Sequence, residues 1–300
     1  MTSERPPTIA ASAAARWHNQ SARESPWLHE EVARRMEERL GWIRMQPAAW
    51  AHWGAVRGGL GAHALLAGRY PRAQCFVVEK NKEAENFAIK SIVRPWWSPS
   101  RLRAPETRFE VPPDAAVQML WSNMALHDAP DPQALIATWH KALAVDGFLM
   151  FSCLGPDTLL ELRALYRRLG WPPPSHEFTD MHDWGDMLVG TGFAEPVLDM
   201  ERITLSFESP QRMLLELRHL GRNLHPARFA GLRGRKWLAQ WHEEVGQQLS
   251  TPREEGRLTL TFEVVYGHAL KPAPRLKVQP ETTLSLDAMR LALRQGKTAW

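Results

Sequence analysis

The chain has 300 residues, 44% of them hydrophobic, and 37 Lys and Arg residues against 33 Asp and Glu give it a formal net charge of +4. A chain of this length and apolar content can bury a full core, and its length suggests one large domain or one domain with a sizeable insertion. The charge excess is modest and offers little support for a nucleic-acid partner. It lies mostly after Arg163, so we expect any acidic partner to meet the C-terminal half.

No apolar run is long enough to span a bilayer, and the N-terminus lacks the hydrophobic region of a secretion signal. Cys75 and Cys153 fall in predicted buried strands and have no CxxC spacing. Thiols of this kind are typical of a reducing compartment. We therefore expect a soluble, cytoplasmic protein without a membrane partner.

Three regions are predicted along the chain. Residues 1–25 form an arm rich in Ser, Pro and Ala that is expected to be disordered or to act as a lid. Residues 26–270 form the main domain, with a helical insertion at about 209–249, and residues 271–300 form a Pro- and Lys-rich tail. A short helix is possible over 286–293. The main domain begins with a helix from Pro26, whose apolar residues repeat at helical spacing.

The most informative stretch runs from Pro47 to Asn81. It reads as a strand, a glycine-rich turn, a helix over about 62–70, and a short apolar strand, Cys75–Val78, that ends in Glu79. In an open α/β sheet, such a turn and such an acid hold a nucleotide-like ligand and its ribose hydroxyls. The turn departs from G-x-G-x-x-G because Val56 stands where a second glycine is expected. From these residues alone, a βα loop without a ligand is an equally good interpretation.

The later elements alternate between strands and helices. Strands are predicted at 117–121, 148–154, 197–200, 203–207 and 258–270, helices at 80–93, 132–144, from 157 to 169, 179–189 and 209–220, and a basic helical segment at 222–249. No strand is predicted within 94–113. This order predicts an α/β fold with an open, mainly parallel seven-stranded sheet, helices on both faces and a helical insertion before the last strand.

Residues 120–163, LWSNMALHDAPDPQALIATWHKALAVDGFLMFSCLGPDTLLELR, resemble the central part of a class I S-adenosylmethionine methyltransferase. More narrowly, they resemble the malonyl-acyl-carrier-protein O-methyltransferases of biotin synthesis, with an S-N-x-A-L turn, a Gly before the fifth strand and an F-S/T-x-L-G…ELR run. The likeness continues through EFTDMHDWGDMLVGTGFAEPVLDM, LLELRHLGRNLH and LTLTFEVVYGHALKP, and covers most of residues 26–270.

The resemblance implies S-adenosylmethionine as cofactor, but this chain departs from the family most where that cofactor would bind. Against the family's D-L-G-C-G-T-G motif, His52 replaces the acid, Val56 replaces the middle glycine, and Gly54 and Gly58 are kept. The resemblance further places Glu79 at the ribose, and Ser122 and Asn123 beside the cofactor. The family's Gly-Asp pair has no counterpart before Phe109. Ala22 occupies the position of a lid tyrosine, and Trp17 and Trp27 are the candidates to cover the same place.

Methyl transfer to a carboxylate needs no general base, because the acceptor is already ionised at neutral pH. Catalysis would then consist of positioning and partial desolvation. From the resemblance, Arg163 would orient the malonyl carboxylate, and Asn123 would bind the methionine part of the cofactor or the substrate. A surface ion pair for Arg163 and a self-satisfied turn for Asn123 are the alternatives. His127 is a weaker substrate contact, and His52 with His63 lacks a third metal ligand, so no metal is predicted.

The resemblance also implies an acyl carrier protein as partner. Carrier proteins are acidic, and basic residues cluster around the helical insertion, where they form either a docking face or a solvated helix surface. They are Arg218, Arg222, Arg228, Arg233, Arg235 and Lys236. Two other functions remain open. One is a degenerate, non-catalytic paralogue that keeps the carrier-binding face, because a Cβ at Val56 would crowd the cofactor. Val56→Gly would then strengthen cofactor binding. The other, more distant, is a nucleic-acid methyltransferase, for which no base-flipping motif is present.

Overall fold

The computed structural model describes residues 9–20, 24–93, 105–250 and 256–274. Seven strands form one sheet in the order β3-β2-β1-β4-β5-β7-β6. The strands are β1 (Ala49–Trp53), β2 (Gln74–Val78), β3 (Thr107–Arg108), β4 (Val117–Ser122), β5 (Leu143–Leu154), β6 (Ala194–Phe207) and β7 (Leu258–Leu270). The first five run parallel, and β7 is antiparallel to both β5 and β6. The predicted open, mainly parallel sheet is confirmed.

Helices cover both faces of this sheet. They are α1 (Ala11–His18), α2 (Trp27–Arg39), α3 (Ala55–Gly58), α4 (Leu60–Arg69), α5 (Lys82–Ile92), α6 (Pro132–Ala142), α7 (Leu160–Arg168), α8 (Met181–Thr191), α9 (Pro210–Leu220) and α10 (Arg235–Gln248). Several begin at a capping side chain: Asn81, Asp131 and Ser209 each accept a backbone N–H of the first turn. Within the described residues, no helix is long and apolar enough to cross a lipid bilayer.

The core lies in two layers, because successive side chains of a buried strand point to opposite faces. Met119 and Trp121 of β4 join the larger cluster, which packs against α2, α4, α7 and α10. Leu120 of β4 joins the other cluster, under α6 and α8. Both cysteine thiols are free and buried, as predicted. The strand ends that meet between these layers carry the residues of the candidate site.

Three predicted elements are wrong in detail. A two-residue strand, β3, does lie within 94–113 and pairs with Cys75 and Phe76 of β2. The two predicted strands at 197–200 and 203–207 are one strand, β6, because Glu201 and Arg202 keep the ladder to β7. The basic segment 222–249 is helical only from Arg235 onwards. The possible helix at 286–293 and most of the C-terminal tail lie outside the described residues.

Candidate active site

The glycine-rich stretch lies at the carboxyl end of β1, between β2 and β4. Gly54 has a φ of +73°, the left-handed region that favours glycine, and its N–H donates to the Val78 carbonyl at 2.7 Å. The predicted turn is then wrong in one respect, since Ala55–Gly58 forms a helical turn, α3, before Gly59 at φ +126° starts α4. The chain therefore bends twice at glycines instead of forming one open loop.

Glu79 follows β2, at the place where the ribose-binding acid is expected. Its Oε1 accepts the Val56 N–H at 2.8 Å, so the carboxylate caps the start of α3. Burial raises the pKa of Glu79 to about 7, although the Val56 N–H and the Lys80 and Arg57 cations favour its ionised form. A carboxylate near its pKa at neutral pH is available to accept hydroxyl hydrogen bonds.

The other residues expected at the cofactor mostly face the protein interior. The Val56 side chain is fully buried in the larger core cluster. His52 is buried as well, and its Nδ1 lies 3.3 Å from Nδ1 of His63. Ser122 is buried without a side-chain partner among the described residues. A Cβ on Gly58 would meet the Asn123 carbonyl oxygen at 3.0 Å, so this glycine permits a close packing contact.

Asn123 binds three segments of the protein together. Its Nδ2 donates to the carbonyls of His29, at 2.8 Å, and of Gly58, while its Oδ1 accepts the Ser152 hydroxyl at 2.5 Å. Both amide hydrogens are therefore committed to backbone oxygens. Asn123 lines the cofactor side of the sheet, but its side chain holds α2, α3 and β5 in register at this edge.

The hollow between Gly54, Glu79 and Asn123 has a volume of only about 30 Å³. Ligand sites for small molecules and cofactors usually enclose about 300–1,000 Å³. Side chains from four segments close the space: Arg57, Lys80, Met124, Asp128 and His18 are among its lining residues. A nucleoside does not fit beside Glu79 in this arrangement.

The closure is built around the buried carboxylate of Asp128. It accepts the Trp17 indole N–H at 3.1 Å and pairs with Lys80 at 2.7 Å and with His18 at 3.4 Å. Although burial opposes ionisation, the Lys80 and His18 contacts hold the pKa of Asp128 well below its usual range. These contacts attach helix α1 to the strand edge. Sequence spacing alone does not predict them.

Arg57 completes this closure from the glycine-rich stretch. Its guanidinium stacks 3.4 Å from the centroid of the Trp17 ring and donates to the Trp17 and Gln20 carbonyls. Sequence reasoning singled out Val56 in this stretch as the residue that would crowd the cofactor. Arg57 lines the hollow, whereas Val56 belongs to the core.

A larger cavity of about 220 Å³ begins where the hollow ends and shares Arg57, Met124 and Asp128 with it. Its walls are mainly apolar and come from α7, α9, α10 and β7. They include Leu154, Leu159, Leu162, Leu214, Leu217, Trp241 and Phe262. His127 also lines the cavity, where burial lowers its pKa to about 3. Its Nδ1 accepts the Leu154 N–H at 3.3 Å, so the ring is neutral and held in place.

Arg163 lies elsewhere, in a neighbouring cavity of about 400 Å³. Its guanidinium donates to the Pro156 carbonyl at 2.8 Å, and no ion pair is found for it among the described residues. Arg222 and Arg218, which were expected only on the carrier-binding face, line the apolar cavity instead. Arg222 is 5.2 Å from the Trp17 ring centroid and so approaches the same indole as Arg57.

The remaining basic residues surround the irregular segment before α10. Arg228 donates to the His225 carbonyl, and Arg233 stacks on the rings of Phe229 and Trp237 at 4.3 and 3.9 Å. Arg235 and Lys236 are exposed at the start of α10. Leu232, three residues before Arg235, is fully exposed. Within the described ranges, no three His, Cys, Asp or Glu residues are grouped so as to hold a metal ion.

The residues present fit S-adenosylmethionine in chemistry but not in volume. Glu79 and the glycine-supported bends stand where a ribose and a methionine are expected to bind in this fold. Arg57 and, from α1, His18 line the hollow, so a nucleoside needs these side chains to move. A site for the cofactor therefore requires α1 to move away from Asp128.

Comparisons with known proteins agree with this fold. No protein-family model matches the chain. It is 39% identical over 256 residues to the malonyl-acyl-carrier-protein O-methyltransferase of Gallionella capsiferriformans, a match covering 83% of this chain and 86% of that protein. The enzyme of the same name from Laribacter hongkongensis is 36% identical over 259 residues, covering 83% and 84%.

Among solved structures, the YcgJ protein of Bacillus subtilis superimposes with a TM-score of 0.51 at 14% identity, over 81% of this chain and 99% of that one. A candidate methyltransferase of Bacillus halodurans has a TM-score of 0.50, also at 14% identity, over 81% and 100%. Identities this low support the class I methyltransferase fold alone. The identity to the curated relatives supports more: the chain belongs to the malonyl-acyl-carrier-protein O-methyltransferase family.

Proposed function

We propose that the protein transfers the methyl group of S-adenosylmethionine to the free carboxylate of a malonyl thioester on an acyl carrier protein, a step in the synthesis of the biotin precursor. The observation that carries the proposal is the contact between two spaces. The apolar cavity meets the hollow beside Glu79 at Arg57, Met124 and Asp128. A donor on one side and an acceptor on the other would therefore approach each other at Met124. The buried free thiols suit a cytoplasmic enzyme.

The reaction asks little acid–base chemistry of the protein. When bound, the cofactor supplies an electrophilic methyl group, and the acceptor carboxylate is ionised at neutral pH. The histidines near the cavity are held neutral: burial lowers the pKa of His29 to about 4 and that of His127 to about 3. These rings therefore shape the site and exclude water, and the rate enhancement comes from positioning and desolvation.

The acceptor carboxylate needs a cationic partner close to Met124. The resemblance suggests Arg163, but that side chain opens into the other cavity. Arg57 and Arg222 line the apolar cavity at its cofactor end and both approach Trp17. No carboxylate pairs with either guanidinium in the described part of the chain. We therefore assign binding of the acceptor carboxylate to Arg57 and Arg222 instead of Arg163.

The carrier protein would dock beside the helical insertion. Arg228, Arg233, Arg235 and Lys236 lie within a few residues of the exposed Leu232 in the sequence, so this segment combines basic charge with an exposed apolar side chain. An acidic partner is attracted to such a surface by charge, and the apolar contact adds affinity at short range. This surface lies near the cavity because α9 and α10 line its wall.

A second function is favoured by the closed hollow. His18, Arg57 and the Lys80–Asp128 pair line the hollow and leave it too small for a nucleoside. A protein that keeps this closure permanently would bind the acylated carrier without transferring a methyl group. This is the degenerate paralogue that the altered glycine motif also suggests.

Two measurements on the purified protein separate these functions. Calorimetric titration with S-adenosylmethionine should give micromolar binding for the enzyme and no heat at millimolar cofactor for the non-catalytic relative. Incubation with malonyl-loaded carrier protein and cofactor labelled in the methyl group should then place the label on the thioester as a base-labile ester. Cofactor binding without methyl transfer would show that the methyl acceptor is not the malonyl thioester.

A further inference from the structure

Two cavities, of about 220 and 400 Å³, lie side by side and share part of their walls. The shared residues are Tyr166, Pro174, Ser175, His176 and Phe178. The smaller cavity reaches the cofactor edge at Met124, and the larger one extends to Arg163 and Arg167 on α7. Their shared wall places the two cavities one after the other between α7 and the cofactor hollow.

Two buried polar atoms on the shared wall have no partner among the described residues. They are the Ser175 hydroxyl and Nδ1 of His176, in side chains that are 8% and 6% exposed. A buried polar group left unpaired destabilises the fold, so such groups are uncommon unless a ligand or water pairs with them. The other residues of the shared wall are Tyr166, Pro174 and Phe178, so this pair supplies its unpaired polar atoms.

The hydrogen-bonding roles of the two atoms follow from their neighbours. Nε2 of His176 lies 3.1 Å from the His127 carbonyl, which can only accept, so Nε2 carries the ring proton. Burial lowers the pKa of His176, which keeps the ring neutral and leaves Nδ1 as an acceptor. The Ser175 hydroxyl is free to donate. An adjacent acceptor and donor match the N–H and C=O of a secondary amide.

The outer cavity has a different character. Arg163 and Arg167 line it, and no ion pair holds either guanidinium in the described residues. Glu177 lies on the same rim, so the two cations leave a net positive charge there. Arginine binds phosphate well because its planar N–H groups match phosphate oxygens.

We propose that the joined cavities bind the phosphopantetheine-type arm of the acyl carrier substrate, with its phosphate at Arg163 and Arg167 and one secondary amide held by Ser175 and His176. The proposal rests on the proposed function, since that function requires an acyl thioester on such an arm. The arm enters over α7, passes the amide site and delivers the acyl end to the apolar cavity beside Met124. This gives Arg163 a binding role in place of the one expected from the sequence.

The decisive variant is Ser175→Ala, because the hydroxyl has no protein partner to lose. Removing an unpaired buried polar group should leave the melting temperature equal to that of the wild type or raise it. Calorimetric titration with pantetheine 4′-phosphate, without any methyl donor, should show binding about tenfold weaker, the effect of one lost hydrogen bond to a buried amide. Unchanged affinity with a raised melting temperature would overturn the proposal.

The phosphate end is tested with two probes and a matched control. The wild type should bind pantetheine 4′-phosphate more tightly than pantetheine, and Arg163→Gln and Arg167→Gln should each reduce that preference. Arg168→Gln is the control, because Arg168 pairs with Gln248 away from the cavity. Equal binding of the two probes by the wild type, or an equal effect of all three substitutions, would contradict the phosphate assignment.

These experiments distinguish failure of this proposal from failure of the proposed function. If the arm binds in a way that depends on Ser175 but no methyl group is transferred to the malonyl-loaded carrier, the arm site is supported and the proposed activity is contradicted. If the protein transfers a methyl group to a malonyl thioester but binds neither arm probe, the proposed activity is supported and the arm site is contradicted.

Discussion

At the scale of single residues, Glu79 links the cofactor site to the stability of the fold. Its carboxylate caps α3 through the Val56 N–H, yet burial raises its pKa to about 7. The folded state therefore holds a proton at pH values where the unfolded chain has released it. Such a group lowers the free energy of unfolding as the pH rises from about 4.5 to about 7.

The first prediction concerns Glu79→Gln. The amide oxygen still accepts the Val56 N–H but cannot ionise, so the pH-dependent loss should disappear. Relative to the wild type, the variant should gain stability between pH 5 and 8, up to about 3 kcal/mol. Urea denaturation at several pH values measures the difference, and a difference that stays constant with pH would contradict this account.

The second prediction concerns Val56, where the structure changes the expectation drawn from the sequence. A cofactor clash at Val56 predicts tighter binding for Val56→Gly, but the side chain is fully buried in the core. The substitution should instead destabilise the protein by about 2–4 kcal/mol, from lost burial, a cavity and added backbone entropy. Cofactor affinity, measured by calorimetry below the melting temperature, should not improve. Tighter binding would restore the original expectation.

The third prediction separates the arginines. If Arg222 orients the acceptor carboxylate, Arg222→Gln should lower kcat/KM for a malonyl thioester of N-acetylcysteamine by about tenfold to a hundredfold, the effect of a lost charged hydrogen bond. Arg163→Gln should leave this small substrate unaffected, since it has no phosphate and no long arm. The reverse result would return the carboxylate to Arg163.

At the scale of elements, helix α1 decides whether the cofactor site is open. Trp17 is 6% exposed and lies between the Asp128 carboxylate and the Arg57 guanidinium. The helix also packs Ala13 and Ala14 against Leu224, in the segment that follows α9. One short helix thus contacts both the cofactor edge and the substrate cavity.

The fourth prediction is that Trp17→Ala opens the hollow. If only a fraction of the molecules has the hollow open, the apparent cofactor affinity is reduced in proportion to that fraction. A larger open fraction should therefore tighten cofactor binding. Calorimetry should show a lower dissociation constant, and proteolysis within residues 9–20 should accelerate. Trp42→Ala is the control, because that indole is 89% exposed. Weaker binding in Trp17→Ala would mean that the indole is part of the cofactor site.

The elements themselves were largely readable from the sequence, because apolar periodicity and local caps specify them. The sequence does not predict β3, because a two-residue edge strand has no periodicity, and the charged pair Glu201 and Arg202 makes β6 look like two strands. Local sequence patterns also cannot predict the closure of the hollow. The bond from Trp17 to Asp128 joins residues 111 apart, and nothing local to either predicts the other.

At the scale of the whole molecule, the two ligand spaces meet at side chains that α1 holds. Trp17 and Arg57 line the apolar cavity, while Arg57 and His18 line the cofactor hollow. A ligand that displaces Trp17 from the cavity would also release Arg57 and Asp128. Binding in one space should therefore favour binding in the other, and by thermodynamic linkage the effect must be reciprocal.

The fifth prediction is a coupling between the substrate arm and the cofactor. Titration with S-adenosylhomocysteine, which cannot transfer a methyl group, should show tighter binding when malonyl-pantetheine 4′-phosphate is saturating, within the usual range of about 5- to 150-fold. The reverse titration should give the same factor. In Trp17→Ala the hollow is already open, so the factor should fall towards one. Equal coupling in the wild type and in this variant would show that the two sites communicate by a route other than α1.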